Sequence, residues 1–108
     1  MKKFYLERHE DVHGNSGTGA VAEGVIFDNG MAAMTWLSDE PTVTTFVFPR
    51  SIKKLHGHNG RTDVVIEGQR GQAARFQELQ EIVRQKKNEL RHEKAERGII
   101  HKKESKNE

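Results

Sequence analysis

The chain has no cysteine, two prolines and seven aromatic residues (five Phe, one Tyr, one Trp) in 108 positions. Lack of cysteine removes disulfides, thiolate metal sites and cysteine nucleophiles together, and it suits a reducing, cytoplasmic location. No stretch approaches the roughly 18 apolar residues that a membrane helix needs. Met1-Lys2-Lys3 is basic, but Phe4-Tyr5-Leu6 runs at once into Glu7-Arg8-His9-Glu10, too short an apolar run for a secretory signal. No membrane partner is expected. With 33% apolar residues the chain can build one small domain with a modest core.

Charge is plentiful and uneven. Residues 1–68 hold 7 Lys/Arg against 9 Asp/Glu, and residues 69–108 hold 11 against 7, so the basic excess lies in the C-terminal part.

Up to Glu67 the hydrophobic signal has period two. "FYLERHE" reads as a first strand, and "TGAVAEGVIFDNGMAAMTWL" as a hairpin turning at Asn29-Gly30, the dipeptide favoured in two-residue type I′ turns. That turn would pair Phe27 with Ala32, Val25 with Met34 and Glu23 with Trp36. It places Val21, Val25, Phe27, Met34 and Trp36 on the core face, and Ala22, Ile26, Ala33 and Leu37 on the other. "VTTFVF" gives a fourth strand. "SIKKLHG" gives a helical turn with Ser51 as N-cap and Gly57 as stop, and "TDVVIE" gives a fifth strand. This order predicts a mainly β fold: an SH3-like small barrel of about five strands followed by a C-terminal α-helix. An open sheet or an OB-type barrel has the same strand count.

From Gln69 the period changes. Residues 1–68 are read as the barrel, expected to fold without the helix, and 69–72 as a flexible linker. Residues 73–98 are read as a helix free of Gly and Pro until Gly98, and 99–108 as a disordered tail. Phe76, Leu79, Val83 and Leu90 form a narrow apolar stripe on that helix.

Several segments, "RHEDVHGNSGTGAVAEGVIFDNG", the following Trp36 and "HGHNGRTDVV", occur in an order that resembles a family of small phage and prophage proteins. Its members read roughly RHEDV-SGTG-VAEGV-F-DG, a Trp, then HGHGG-T-V, and the likeness spans about Phe4 to Ile66. The resemblance implies a phage or prophage origin and no particular reaction. Where the family commonly has Ser after RHEDV this chain has His13, which disfavours a scheme that needs His13.

Candidate site residues follow from residue type. His56 and His58 in "LHGHNG" have strand spacing for two zinc ligands, with His9 or His13 and an acid such as Glu10 or Asp11 to complete a shell. Gly57, Asn59 and Gly60 argue for a turn instead, so neither a metal nor another cofactor is expected. A metal-free acid–base pair would use His9 with His56 or His58. "GNSGTG", Gly14 to Gly19, lacks the strand-to-helix setting and the Gly-Lys-Ser/Thr of a phosphate loop, and reads as a barrel loop. Trp36, near a strand end, is a candidate aromatic platform. On the helix Lys86, Lys87 and Arg91 lie close enough to meet a phosphate backbone, yet Glu89 and Glu93 interleave with them. The reading that results is a non-enzymatic binding module contacting a host or phage protein or itself. A nucleotide- or nucleic-acid-binding, histidine-dependent protein is the alternative.

Overall fold

The computed structural model describes residues 1–10, 18–38 and 40–106, with residue 58 and residues 92–106 described by backbone alone. The expected class, mainly β with five strands and a C-terminal helix, is the one adopted. The elements are β1 (Lys2–Arg8), β2 (Gly19–Ile26), β3 (Ala32–Trp36), β4 (Val43–Phe46), α1 (Arg50–His56), β5 (Thr62–Ile66) and α2 (Ala73–Lys106). All strands are antiparallel in one sheet of order β4-β3-β2-β1-β5, so β4 and β5 are its edges. No helix among the described residues is long and apolar enough to cross a membrane.

The sheet carries a core on each face. On the inner face Phe4, Leu6, Ala22, Ala32, Met34 and Phe46 pack with Ile52 of α1. On the outer face Tyr5, Ala20 and Val65 pack with Phe76, Leu79 and Val83 of α2. β1 is thus apolar on both sides, which is why "FYL" does not alternate. Val21 is the extra residue of a β-bulge, since Leu6 pairs with Ala22 and Glu7 with Ala20; it also reaches the inner core.

The hairpin forms where expected, but one residue out of register. Its loop holds three residues, Asp28 to Gly30: the Phe27 N–H donates to Met31 O at 2.7 Å and the Gly30 N–H to Phe27 O at 2.9 Å. Only Gly30 has a positive φ, +90°, and Asn29 Oδ1 accepts the Met31 N–H at 3.0 Å. A three-residue loop closed by a left-handed glycine uses the same Asn-Gly dipeptide as a two-residue turn. The observed pairs are Gly24 with Met34, Ile26 with Ala32 and Ala22 with Trp36. A one-residue slip exchanges the faces of one strand against its neighbour. Hence Ile26 and Ala22 join Met34 inside, while Val25 turns outward and Phe27 is 40% exposed. Gly24 lies under the Phe4 ring, and a Cβ there would collide with that ring and with the Ala33 carbonyl.

α1 begins at Arg50 after Pro49, without a side-chain cap, rather than at an Ser51 N-cap. Pro49 supplies a backbone already near helical φ, so no capping hydroxyl is required. The joint after β5 is ordered: the Gln69 N–H donates to Ile66 O and the Gln72 N–H to Gln69 O, both at 3.1 Å, turning the chain onto the outer face. The α2 backbone stays helical through Gly98 to Lys106, past the end expected at Gly98. One interior glycine costs about 1 kcal/mol, too little to stop a helix with strong formers on both sides.

Two predictions follow from the double core. A Gly24→Ala variant should lose about 1–3 kcal/mol in urea unfolding, because the Phe4 ring has no free space to yield. A chain ending at Gln72 should lose cooperative unfolding. Phe76, Leu79 and Val83 each contribute about 1.5–3 kcal/mol of burial, out of a typical total of about 5–15 kcal/mol. Retention of a sharp transition in that truncated chain would return the helix to the role of an appendage.

Candidate functional site

Cross-strand register lays out the outer face in rows. Val65, Tyr5, Glu23, Thr35 and Val43 form one row across all five strands, and Lys3, Val25, Ala33 and Thr45 form the next. A helix is about 10 Å wide and strands lie about 4.8 Å apart, so one helix covers about two strands. α2 lies over the β5–β1–β2 side. The remainder is a groove of about 370 Å³ lined by Lys3, Tyr5, Glu23, Val25, Ala33 and Val43, with Lys87 of α2 on its rim. A recess of about 270 Å³ continues it past Glu23 and Lys87 to Trp36, Leu37, Leu90 and Arg91.

The charges around this groove are largely paired. Lys87 Nζ stands 3.0 Å from Glu23 Oε1. The neighbouring Lys86 Nζ donates to the Ala20 carbonyl at 2.8 Å, and Arg84 meets Glu81 at 2.6 Å one turn back. Tyr5 lies against Phe76, ring centroids 5.2 Å apart. Its phenol is pushed above the ordinary range, first by burial and then by the carboxylates of Glu23 and Glu67.

The sequence candidates separate into three groups. Trp36, Lys87 and Arg91 meet at the recess, with Lys86 anchored beside them. Trp36 is half-buried rather than a free platform, because the His56 ring meets it edge-on at 5.3 Å and also meets Phe46 at 5.9 Å. His9 is at the far end of β1, where its Nε2 lies 2.8 Å from Asp63 Oδ2. The His58 side chain, His13 and most of the Gly14 to Gly19 loop lie outside the described residues. "LHGHNG" itself is a compact turn: Asn59 is left-handed at φ 56°, and the Gly60 and Thr62 N–H groups both donate to Gly57 O, at 3.1 and 3.0 Å.

Glu7, His9 and Asp63 bring one ligand atom each within 4.8 Å of one another. The trio does not suit a cation, because both Glu7 oxygens are engaged by the Arg75 guanidinium: Nε donates to Oε1 at 2.9 Å and the second nitrogen meets Oε2. A fixed positive charge already fills the place a metal would take. His56 belongs to no such group among the described residues.

Lys3, Glu23, Val25, Ala33 and Val43 were absent from the sequence candidates. The type I′ register hid Val25 by assigning it to the core, whereas a three-residue loop would have placed Val25 and Ala33 together outside.

Tyr5 is the single tyrosine, so tyrosinate absorbance reads this site alone. It should titrate above the free-tyrosine range, and Glu23→Gln should bring it partway back. With the folded pKa raised, the stabilisation is fully present below the unfolded value near 10 and is lost as pH rises through the folded one. Tyr5→Phe should flatten that alkaline fall in unfolding free energy.

A family model described as Acb5 phage protein matches residues 1–67, the whole sheet together with α1. No curated protein and no solved structure matches the chain.

Proposed function

Because the chain belongs to the Acb5 phage protein family, we propose that it is a non-enzymatic binding module, acting in the cytoplasm, which holds a segment of a host or phage protein in the outer-face groove. The observation that carries this reading is an apolar floor of Val25, Ala33 and Val43 left open on the outer face, beside the part that α2 covers. The five antiparallel strands, with a helical segment between β4 and β5, support the expectation of an SH3-like small barrel, an architecture that serves binding in many unrelated contexts. Support for catalysis is weaker: His9 is paired with Asp63, and the His56 ring packs edge-on against Trp36 and Phe46.

A second reading, binding of a nucleotide or nucleic acid, draws on Lys3, Lys87 and Arg91 at the same groove and recess, where Glu23 is the acid. It is disfavoured by the pairing of Lys87 with Glu23 and the anchoring of Lys86 on the Ala20 carbonyl, which draw these two lysines away from a phosphate.

A photoreactive residue at Thr35, in the groove, should crosslink the partner in infected cells. With that partner purified, Val25→Glu should weaken binding by roughly tenfold, a loss of about 1.4 kcal/mol, with little dependence on salt. Binding of oligonucleotides would overturn the proposal if affinity fell by about 0.9 log units per phosphate per log unit of salt and if Lys87→Glu and Arg91→Glu abolished it while Val25→Glu did not.

A further inference from the structure

The two sheet edges differ in how they are finished. On β5 the bonds from the Glu67 N–H to Lys3 O and from the His9 N–H to Arg61 O fix the odd-numbered residues against β1, so Thr62, Val64 and Ile66 face outward. That edge is closed at both ends: the Thr62 N–H donates to Gly57 O at 3.0 Å and Ile66 O accepts the Gln69 N–H at 3.1 Å. On β4 the Trp36 N–H donates to Thr42 O, and Met34 pairs with Thr44 and Ala32 with Phe46, so the backbone groups of Val43 and Thr45 face outward; the strand ends at Phe46 and Val47 follows it. Among the described residues no backbone hydrogen bond from another segment reaches Val43, Thr45 or Val47.

Thr42 to Phe48, "TVTTFVF", holds no charge, no proline and no glycine; every residue is β-branched or aromatic. Val43 is 70% and Val47 63% exposed. Sheet proteins blunt free edges with lysine, proline, bulges or a covering loop, and among the described residues this edge has none of these along its length.

We propose that β4 is a self-association edge, which pairs antiparallel with β4 of a second copy about a two-fold axis at Thr45. A symmetric contact requires a self-complementary strand, and this register meets the requirement. Thr45 faces Thr45 of the other copy, and Val43 faces Val47, apolar against apolar on the outer side. Glu40 precedes the run and Arg50 follows it, so antiparallel apposition brings acid toward base at both ends. Reciprocal N–H to C=O bonds at Thr45, and between Val43 and Val47, use the groups left open. The two sheets become one of ten strands, and the grooves bordered by Val43 in each copy adjoin across the axis. This goes beyond the groove reading and shares only Val43 with it.

Sedimentation velocity across the micromolar to near-millimolar range tests it. The expected result is a concentration-dependent dimer, weak because a four-residue edge makes a small interface. Thr45→Lys should be monomeric with an unchanged circular dichroism spectrum, and Lys87→Glu should dimerise like the parent, so the edge is distinguished from the groove. Because the chain has no cysteine, Thr45→Cys offers a second readout if the lysine variant folds poorly. It should oxidise to a covalent dimer far faster than Asn88→Cys on the exposed face of α2. A monomer at every concentration, a dimer indifferent to Thr45→Lys, or equal crosslinking at both cysteines overturns the proposal; the first of these would leave the edge to a strand from another protein.

Discussion

β1 places Phe4 and Leu6 on one side of the sheet and Tyr5 on the other, and no packing on a single face can bury both sets. This strand dictates the rest of the architecture. Its inner side is covered by Met34 and Phe46 and by Ile52 of α1; its outer side has no cover until Phe76, Leu79 and Val83 arrive from α2. Without that helix Tyr5 and Val65 would face water. The positive excess of the C-terminal part thus rides on a structural element, and the helix can reach outward only with the residues its docking leaves over.

Docking also decides which charges stay available. Arg75 at the start of α2 is locked onto Glu7, whose carboxylate is nearly buried. Removing Arg75 would strand that charge, the costly way to break a buried pair. Farther along, Lys86 reaches the Ala20 carbonyl and Lys87 reaches Glu23. The Lys87–Glu23 pair is partly exposed, which limits it to about 1 kcal/mol or less. A ligand entering the groove can separate these two side chains cheaply, whereas it cannot displace Arg75 without disturbing the fold. The groove is therefore adaptable at its rim and fixed at its far anchor.

Much of the fold was legible in the sequence because it rests on local signals. Strand order, the hairpin position, the helical turn before "TDVVIE" and the stripe Phe76, Leu79 and Val83 all follow from periodicity and turn chemistry. The register did not follow, because Asn-Gly serves both a two-residue type I′ turn and a three-residue loop whose last residue is left-handed. Nothing in "VIFDNGMAAM" weighs strongly for either, since both registers bury Met34. What separates them is Gly24, which must lie beneath the Phe4 ring, a contact across 20 positions that no local pattern reports. That single slip concealed the groove, because it assigned Val25 to the core and set Ile26 rather than Val25 beside Ala33. Trp36, Lys87 and Arg91 were recognisable by residue type alone, but their convergence depends on the angle at which α2 crosses the sheet, and that is set by tertiary packing.

The open surfaces share one cause. After β4 the chain passes to α1 on the inner face, where Ile52 and His56 meet Phe46, then to the β5 edge, then back over the outer face at β5, β1 and β2, so no later segment among the described residues covers the outer side or the edge of β4. The turns that deliver the chain to and from β5 also cap its edge through Gly57 and Gln69. β4 receives no such cap because nothing after α1 returns to it. One helix then has too little width to reach β3 and β4. The bare outer face and the bare edge are therefore contiguous, meeting at Val43, which lines the groove with its side chain and faces outward with its backbone. A strand laid against β4 necessarily alters the groove wall, and a segment filling the groove necessarily approaches the edge. A partner in the proposed groove and a strand on the proposed edge would therefore meet at that residue, with no change in the rest of the fold required.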